Sequence, residues 1–206
     1  MDAETTQKKN TNVVGSNHSQ QTRIPAESIV IREDEEEEDE EEQEELDNQN
    51  DNKYSKSKSW HEIAATVSAD DLKPFFTEYA VEHAGKQAKE KFGPSIEGEI
   101  GDEFSTKILP KIEEVIARYA DEWGEDQLRR LALSERPAGG MGEKIFHLYD
   151  RKTGEDLVRF HVRRDNPPKE GYWFNFHYHE AKDKFTEHHE LGKIYWDKNT
   201  PPHWMS

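Results

Sequence analysis

Ten histidines in a chain without a single cysteine make imidazole the first chemistry to consider. His177 and His179 stand two residues apart in an extended segment, so both side chains project from the same face of a strand. His147 and His161 fall on neighbouring strands of that face, and His188, His189 and Glu190 follow in a loop. Zinc and copper sites use three or four such donors. The candidate metal ligands are therefore His177, His179, His188 and His189, for a divalent transition metal. The helical signature His-Glu-x-x-His is absent, because His61-Glu62 and His179-Glu180 both lack the second histidine at the required spacing. A second reading takes the same face as a ligand site. His147, Arg159, His161, Arg163 and Asn175 could supply hydrogen bonds to a small anionic ligand, with Trp173 and Tyr149 as flat contacts. The plain alternative to both is a solvated sheet face bearing cross-strand pairs.

Other chemistries are poorly served. No thiolate catalysis, disulfide or Cys-based zinc site is possible without cysteine, and no Gly-x-Ser-x-Gly elbow exists. The Gly-rich run from Arg136 to Gly142 follows a helix and precedes a strand, the reverse of a phosphate-cradling loop. None of the 45 carboxylates is picked out by context as an acid or base. No cofactor is called for by the leading reading.

The elements that position these residues follow from periodicity. Between Glu143 and Glu180 the even positions are Phe146, Leu148, Val158, Phe160, Val162, Tyr172, Phe174, Phe176 and Tyr178, while the odd ones carry the His and Arg residues. Period-two alternation predicts strands with one apolar and one polar face. Asp150 to Gly154 is a turn, so strands 143–149 and 155–163 form a hairpin. Pairing apolar with apolar requires partners of equal parity, which puts His147 and His161 on a common face, and a one-residue slip would invert every side chain. A third strand runs over 172–180 and a fourth from Leu191 to Trp196. The tail residues His203, Trp204 and Met205 are expected to tuck a Trp against the domain.

Helices precede the strands. Ser59 and Glu62 form a capping box for a short helix to about Val67. Asp70 is expected to cap the next, with Leu72, Phe75, Phe76, Tyr79, Ala80, His83 and Ala84 at helical spacing, ending near Phe92-Gly93-Pro94. From Ile96 through Ile100, Phe104, Ile108, Ile112, Val115, Ile116 and Tyr119 to Trp123 runs one long apolar stripe. An interior proline costs about 3 kcal/mol and kinks the axis, which predicts a bend near Leu109-Pro110. A last helix is expected from Glu125 to about Leu133.

The charge is unevenly spread. Of the net −17, residues 1–58 contribute −10, and Glu33 to Glu45 holds 12 acidic residues and one Gln. Such a block repels itself and cannot bury enough surface to offset its ordering entropy. It is expected to be a disordered tail, with Ile29 to Ile31 able to dock as a small strand. The acidic balance argues against nucleic acid as a partner and against an anionic membrane surface. No apolar run approaches the ~20 residues of a transmembrane helix, and no signal-peptide pattern stands at the start, so the chain as written reads as soluble.

Three blocks carry a family resemblance: Lys107 to Ile116 (KILPKIEEVI), Arg136 to Phe146 (RPAGGMGEKIF) and Gly192 to Pro202 (GKIYWDKNTPP). They resemble the YpjP-like proteins of Bacillus and relatives, over about Ala69 to Ser206. The resemblance carries no catalytic residue over. Its members begin with a short hydrophobic, signal-like segment before an acidic linker, and this sequence departs from them by starting Met1-Asp2-Ala3. The resemblance thus implies an exported or envelope-associated protein if such a segment lies upstream, with the acidic tail as a spacer, and a cytoplasmic one otherwise.

The expected fold class is α+β: residues 59–206 form a single domain of N-terminal helices packed on one face of a C-terminal antiparallel meander of three to four strands, preceded by a disordered acidic tail over 1–58. The leading functional reading is a non-enzymatic binding or envelope-associated protein using the His/Arg/Trp-rich face, toward a small anionic ligand or a protein partner. The alternative is a His-based metal-binding protein or metalloenzyme.

Overall fold

The computed structural model describes residues 58–204. The acidic tail before Lys58, the docking strand at Ile29 to Ile31 and Met205 lie outside the described residues. The elements are α1 (Trp60–Ala64), α2 (Leu72–Glu103), a π-helical turn (Phe104–Ile108), α3 (Leu109–Glu122), α4 (Glu125–Arg130), and strands β1 (Leu131–Leu133), β2 (Lys144–Asp150), β3 (Asp156–Asp165), β4 (Tyr172–Glu180) and β5 (His189–Asp197). The fold is α+β, helices first and then one antiparallel sheet in the order β1-β2-β3-β4-β5. Among the described residues no helix is long and apolar enough to cross a membrane.

Local chemistry explains the helix boundaries. Ser59 begins α1, its N–H and hydroxyl both donating to the Glu62 carboxylate at 2.8 and 3.0 Å. The cap of α2 is Asp71 rather than the expected Asp70; Ser68 donates its hydroxyl to the Asp71 carboxylate at 2.7 Å. Inside α2 the axis breaks at Gly93, whose φ of 66° suits a residue without Cβ, and Pro94 then starts the second half where no N–H is needed. The expected bend before Pro110 takes the form of the π-helical turn, in which Leu109 N–H reaches back to the Phe104 carbonyl. One residue too many in a turn absorbs the missing proline donor.

The apolar stripe from Ile96 to Tyr119 is buried along its length, as are Phe146, Leu148, Val158, Phe160, Val162, Phe174, Phe176 and Tyr178. The two surfaces meet in aromatic contacts: Phe92 and Phe104 pack on Phe176 at 6.0 and 5.3 Å between ring centroids, and Trp204 closes over Phe92 and Phe174. Phe75, expected on the inner stripe of α2, is instead exposed.

The sheet has five strands, not three to four. Leu131 to Leu133 was expected to end the last helix, but α4 stops at Arg130, and Leu131 and Leu133 pair with Asp150 and Leu148. A six-residue helix has few internal bonds to lose, whereas the extended form buries both leucines and covers the edge of β2. Even-with-even pairing holds through the middle of β2–β3 and all of β3–β4. It shifts by one residue at Ile145 and Leu157 between β2 and β3, and at Leu191 and Trp196 between β4 and β5. Each such bulge swaps the face of the residues beyond it relative to the neighbouring strand, and two of these swaps decide the site.

Candidate metal centre

The odd face of β2, β3 and β4 gathers histidines from three strands. His161 pairs across the sheet with His177, and Arg159 with both His147 and His179. The rings lie close: His147 to His161 5.2 Å, His161 to His177 5.7 Å, His161 to His179 5.1 Å and His177 to His179 5.2 Å between centroids. His161, His177 and His179 each bring one ring nitrogen within 4.8 Å of the other two. His188, from the loop before β5, adds a fourth ring at 4.8 Å from His177 and 4.4 Å from His179. His188 is exposed, whereas His147, His161, His177 and His179 are buried. The plain alternative of a solvated face thus does not describe its middle, where these four rings are buried.

The hydrogen bonds assign tautomers to the four buried rings. His147 Nδ1 donates to Asp156 Oδ2 at 3.2 Å, which leaves its Nε2 to accept from His161 Nε2–H at 3.0 Å; the lone pair of His161 is then on Nδ1. His179 Nδ1 donates to the Phe185 carbonyl at 3.0 Å, and His177 Nδ1 faces the Asn175 carbonyl at 3.3 Å, so both keep lone pairs on Nε2. Partners of this kind, a carboxylate or a carbonyl on the far nitrogen, are what orient metal-binding imidazoles. His177 Nε2 is fully buried and makes no hydrogen bond; the nearest carboxylate, Glu143 Oε2, is 3.5 Å away.

Burial keeps two of these rings, His161 and His179, neutral. Burial, reinforced by the neighbouring His147, His177 and His179, holds His161 well below the ordinary imidazole pKa. Burial, with His177 and His188 close by, brings His179 down to about 4. Burial works to raise the Asp156 carboxyl, but the contacts with His147 and Arg159 outweigh it and hold it below its usual value. The neutral imidazoles of His161 and His179, with the His177 ring beside both, form a donor set suited to a divalent cation.

His189 is not brought into this group. The extra residue Leu191 pairs His189 with Tyr178, on the helix side of the sheet, where the two rings stack at 4.7 Å. There His189 Nε2 meets Asp183 Oδ2 at 2.7 Å, with Glu180 nearby, and Tyr119 donates its hydroxyl to Glu180. The other predicted ligand residues stay on the odd face. Arg159 donates to Asp156 at 2.9 Å and lies 4.3 Å from the Phe185 ring centroid; Arg163 donates to Asp165 at 2.9 Å. Both guanidiniums therefore already hold a carboxylate. Trp173 lines a cavity of about 150 Å³ together with Asp165, Pro167, Glu170 and Lys193. Its buried indole N–H and the buried Asn175 Oδ1 have no hydrogen-bond partner, while Asn175 Nδ2 donates to Asp165 at 3.1 Å.

Two contributors escape sequence reasoning. Asp156 has even parity and reaches the odd face only because of the Leu157 bulge, which no sequence signal announces. Glu143 lies before β2 and beyond the Ile145 bulge, where parity no longer tells the face, and it is one carboxylate among 45.

The sequence model of a family described as "YpjP-like protein" matches residues 71–204. The chain is 47% identical over 161 residues to Uncharacterized protein YpjP of Bacillus subtilis (strain 168), which covers 75% of this chain and 79% of that protein. No solved structure matches.

Proposed function

This chain belongs to the YpjP-like family, and from the geometry of its sheet we propose that it is a metal-binding protein that takes one divalent transition-metal ion on His161, His177 and His179. The observation that carries the reading is the convergence of three ring nitrogens within 4.8 Å. Ring nitrogens of the three also meet His147, the Asn175 carbonyl and the Phe185 carbonyl. Imidazole donors suit zinc, copper, iron and nickel. Three of them account for most of a tetrahedral zinc shell. The test is elemental analysis of the purified full chain together with His177→Ala and His179→Ala. Stoichiometric metal in the wild type that is lost in both variants supports the reading, and a wild type without stoichiometric metal eliminates it.

A second reading, ligand binding at the Trp173 end of the face, is favoured by the cavity that Trp173 lines and by the unpartnered indole N–H of that residue. The indole N–H asks for an acceptor, so a small ligand bearing one fits; an acidic group on it would meet Lys193, and a basic one Asp165 or Glu170. In that case Trp173 fluorescence responds to the ligand and Trp173→Ala abolishes binding while the domain stays folded. The envelope-associated reading rests on the family resemblance alone. Recovery of the full-length product purely from the cytosol contradicts it.

A further inference from the structure

Glu143 stands where the loop after β1 enters β2, and its backbone is held from both sides. Val162 N–H donates to the Glu143 carbonyl at 2.9 Å. The buried Lys91 of α2 donates to the Ala138 carbonyl at 2.6 Å and to that of Gly142, the residue immediately before Glu143. One and two turns earlier on the same helix, Gln87 and His83 face the carbonyls of Glu135 and Ser134. Residues 83, 87 and 91 thus form a ladder that clamps the loop and fixes where Glu143 emerges.

From there the carboxylate reaches the histidines. Glu143 Oε2 lies 3.5 Å from His177 Nε2, and that nitrogen makes no hydrogen bond although it is buried. The separation exceeds the 2.7–3.2 Å usual for N–H···O bonds. It does fit two donors of one tetrahedral ion: bonds of about 2.0–2.1 Å at the tetrahedral angle put their ends about 3.3 Å apart.

We infer that Glu143 is the fourth protein donor of the site, which makes the set three imidazoles and one carboxylate. This rests on the metal-binding reading above. An oxygen donor in place of a fourth nitrogen or a thiolate disfavours the soft Cu(I) ion and favours Zn(II), Co(II), Ni(II), Fe(II) or Mn(II). His188 is the competing fourth donor, exposed and beside His177 and His179.

The experiment titrates the metal-free full chain with Zn²⁺ against a chelator, in the wild type, Glu143→Gln, His188→Gln and His177→Ala. Glu143→Gln is expected to weaken zinc by about 100-fold or more, beyond the 10–100-fold typical of outer partners, and His188→Gln to change it less than about threefold. X-ray absorption at the zinc edge of the wild type, which needs no folded variant, is expected to count three imidazoles. A full-affinity Glu143→Gln protein, or a count of four imidazoles, overturns Glu143 and leaves the three-histidine reading standing. Absence of stoichiometric zinc in the wild type, or its retention by His177→Ala, overturns both.

Discussion

Replacing Asp156 by Asn removes the charge at the far end of the relay that runs from Asp156 through His147 to His161. Asp156 Oδ2 accepts from His147 Nδ1 at 3.2 Å, and His147 Nε2 accepts from His161 at 3.0 Å. A hydrogen bond to an ionised group contributes roughly 1.5–3 kcal/mol and a neutral one roughly 0.5–1.5. The substitution therefore takes about 1–1.5 kcal/mol from the arrangement that keeps the His161 lone pair on Nδ1. Each 1.4 kcal/mol is tenfold in affinity, so zinc binding weakens about tenfold, within the range for outer partners of metal-bound histidines. Because Asp156 also accepts from Arg159 at 2.9 Å, the control is Arg159→Gln, which breaks that pair and leaves the relay intact. The assay is competition for Zn²⁺ against a chelator at fixed pH and salt. Unchanged affinity in Asp156→Asn, or the full loss reproduced by Arg159→Gln, refutes the relay.

Three further outcomes follow from the packing. Phe176→Ala empties a fully buried site between Phe92 and Phe104 and is expected to cost about 3–5 kcal/mol, read from the denaturant midpoint. Lys91→Met strips the Ala138 and Gly142 carbonyls of a buried donor; a loss of roughly 2 kcal/mol and faster amide exchange confined to residues 135–143 are expected. Burial holds His83 below the ordinary imidazole pKa against the opposing bond to the Ser134 carbonyl. A base that is harder to protonate when folded contributes stability present above the unfolded pKa of about 6.5 and lost as the pH falls through the folded value. The His83 ring, followed by NMR, is therefore expected to titrate below the ordinary imidazole pKa, and titration at or above it contradicts the burial argument.

The division of the sheet into two faces was legible because parity is a strong constraint: one greasy residue in two, over three strands, excludes a one-residue slip. That parity put His147 and His161 on a common face, while the pairing of His161 with His177 is set by the strand register. The helical stripe and its breaks at Gly93 and before Pro110 were legible for the same reason, since 3.6-residue spacing and proline leave visible marks. What escaped depends on bulges, which insert one residue without a compositional signature. Leu157 brings Asp156 onto the histidine face, Leu191 takes His189 off it, and both changes reverse what parity implies. The strand at Leu131 to Leu133 escaped because three residues are too few to show a period, and only the open edge of β2 selects them. Glu143 escaped because its role comes from a loop clamped by α2, a contact between residues about 50 apart in the chain.

Calorimetric titration of the metal-free full chain with Zn²⁺, beside the variant carrying His161→Ala, His177→Ala and His179→Ala together, tests the central claim most directly. One ion per chain in the wild type and none in the triple variant is the expected result. A wild type that takes up no stoichiometric ion, or a triple variant that binds one as tightly as the wild type, contradicts a metal centre on this sheet.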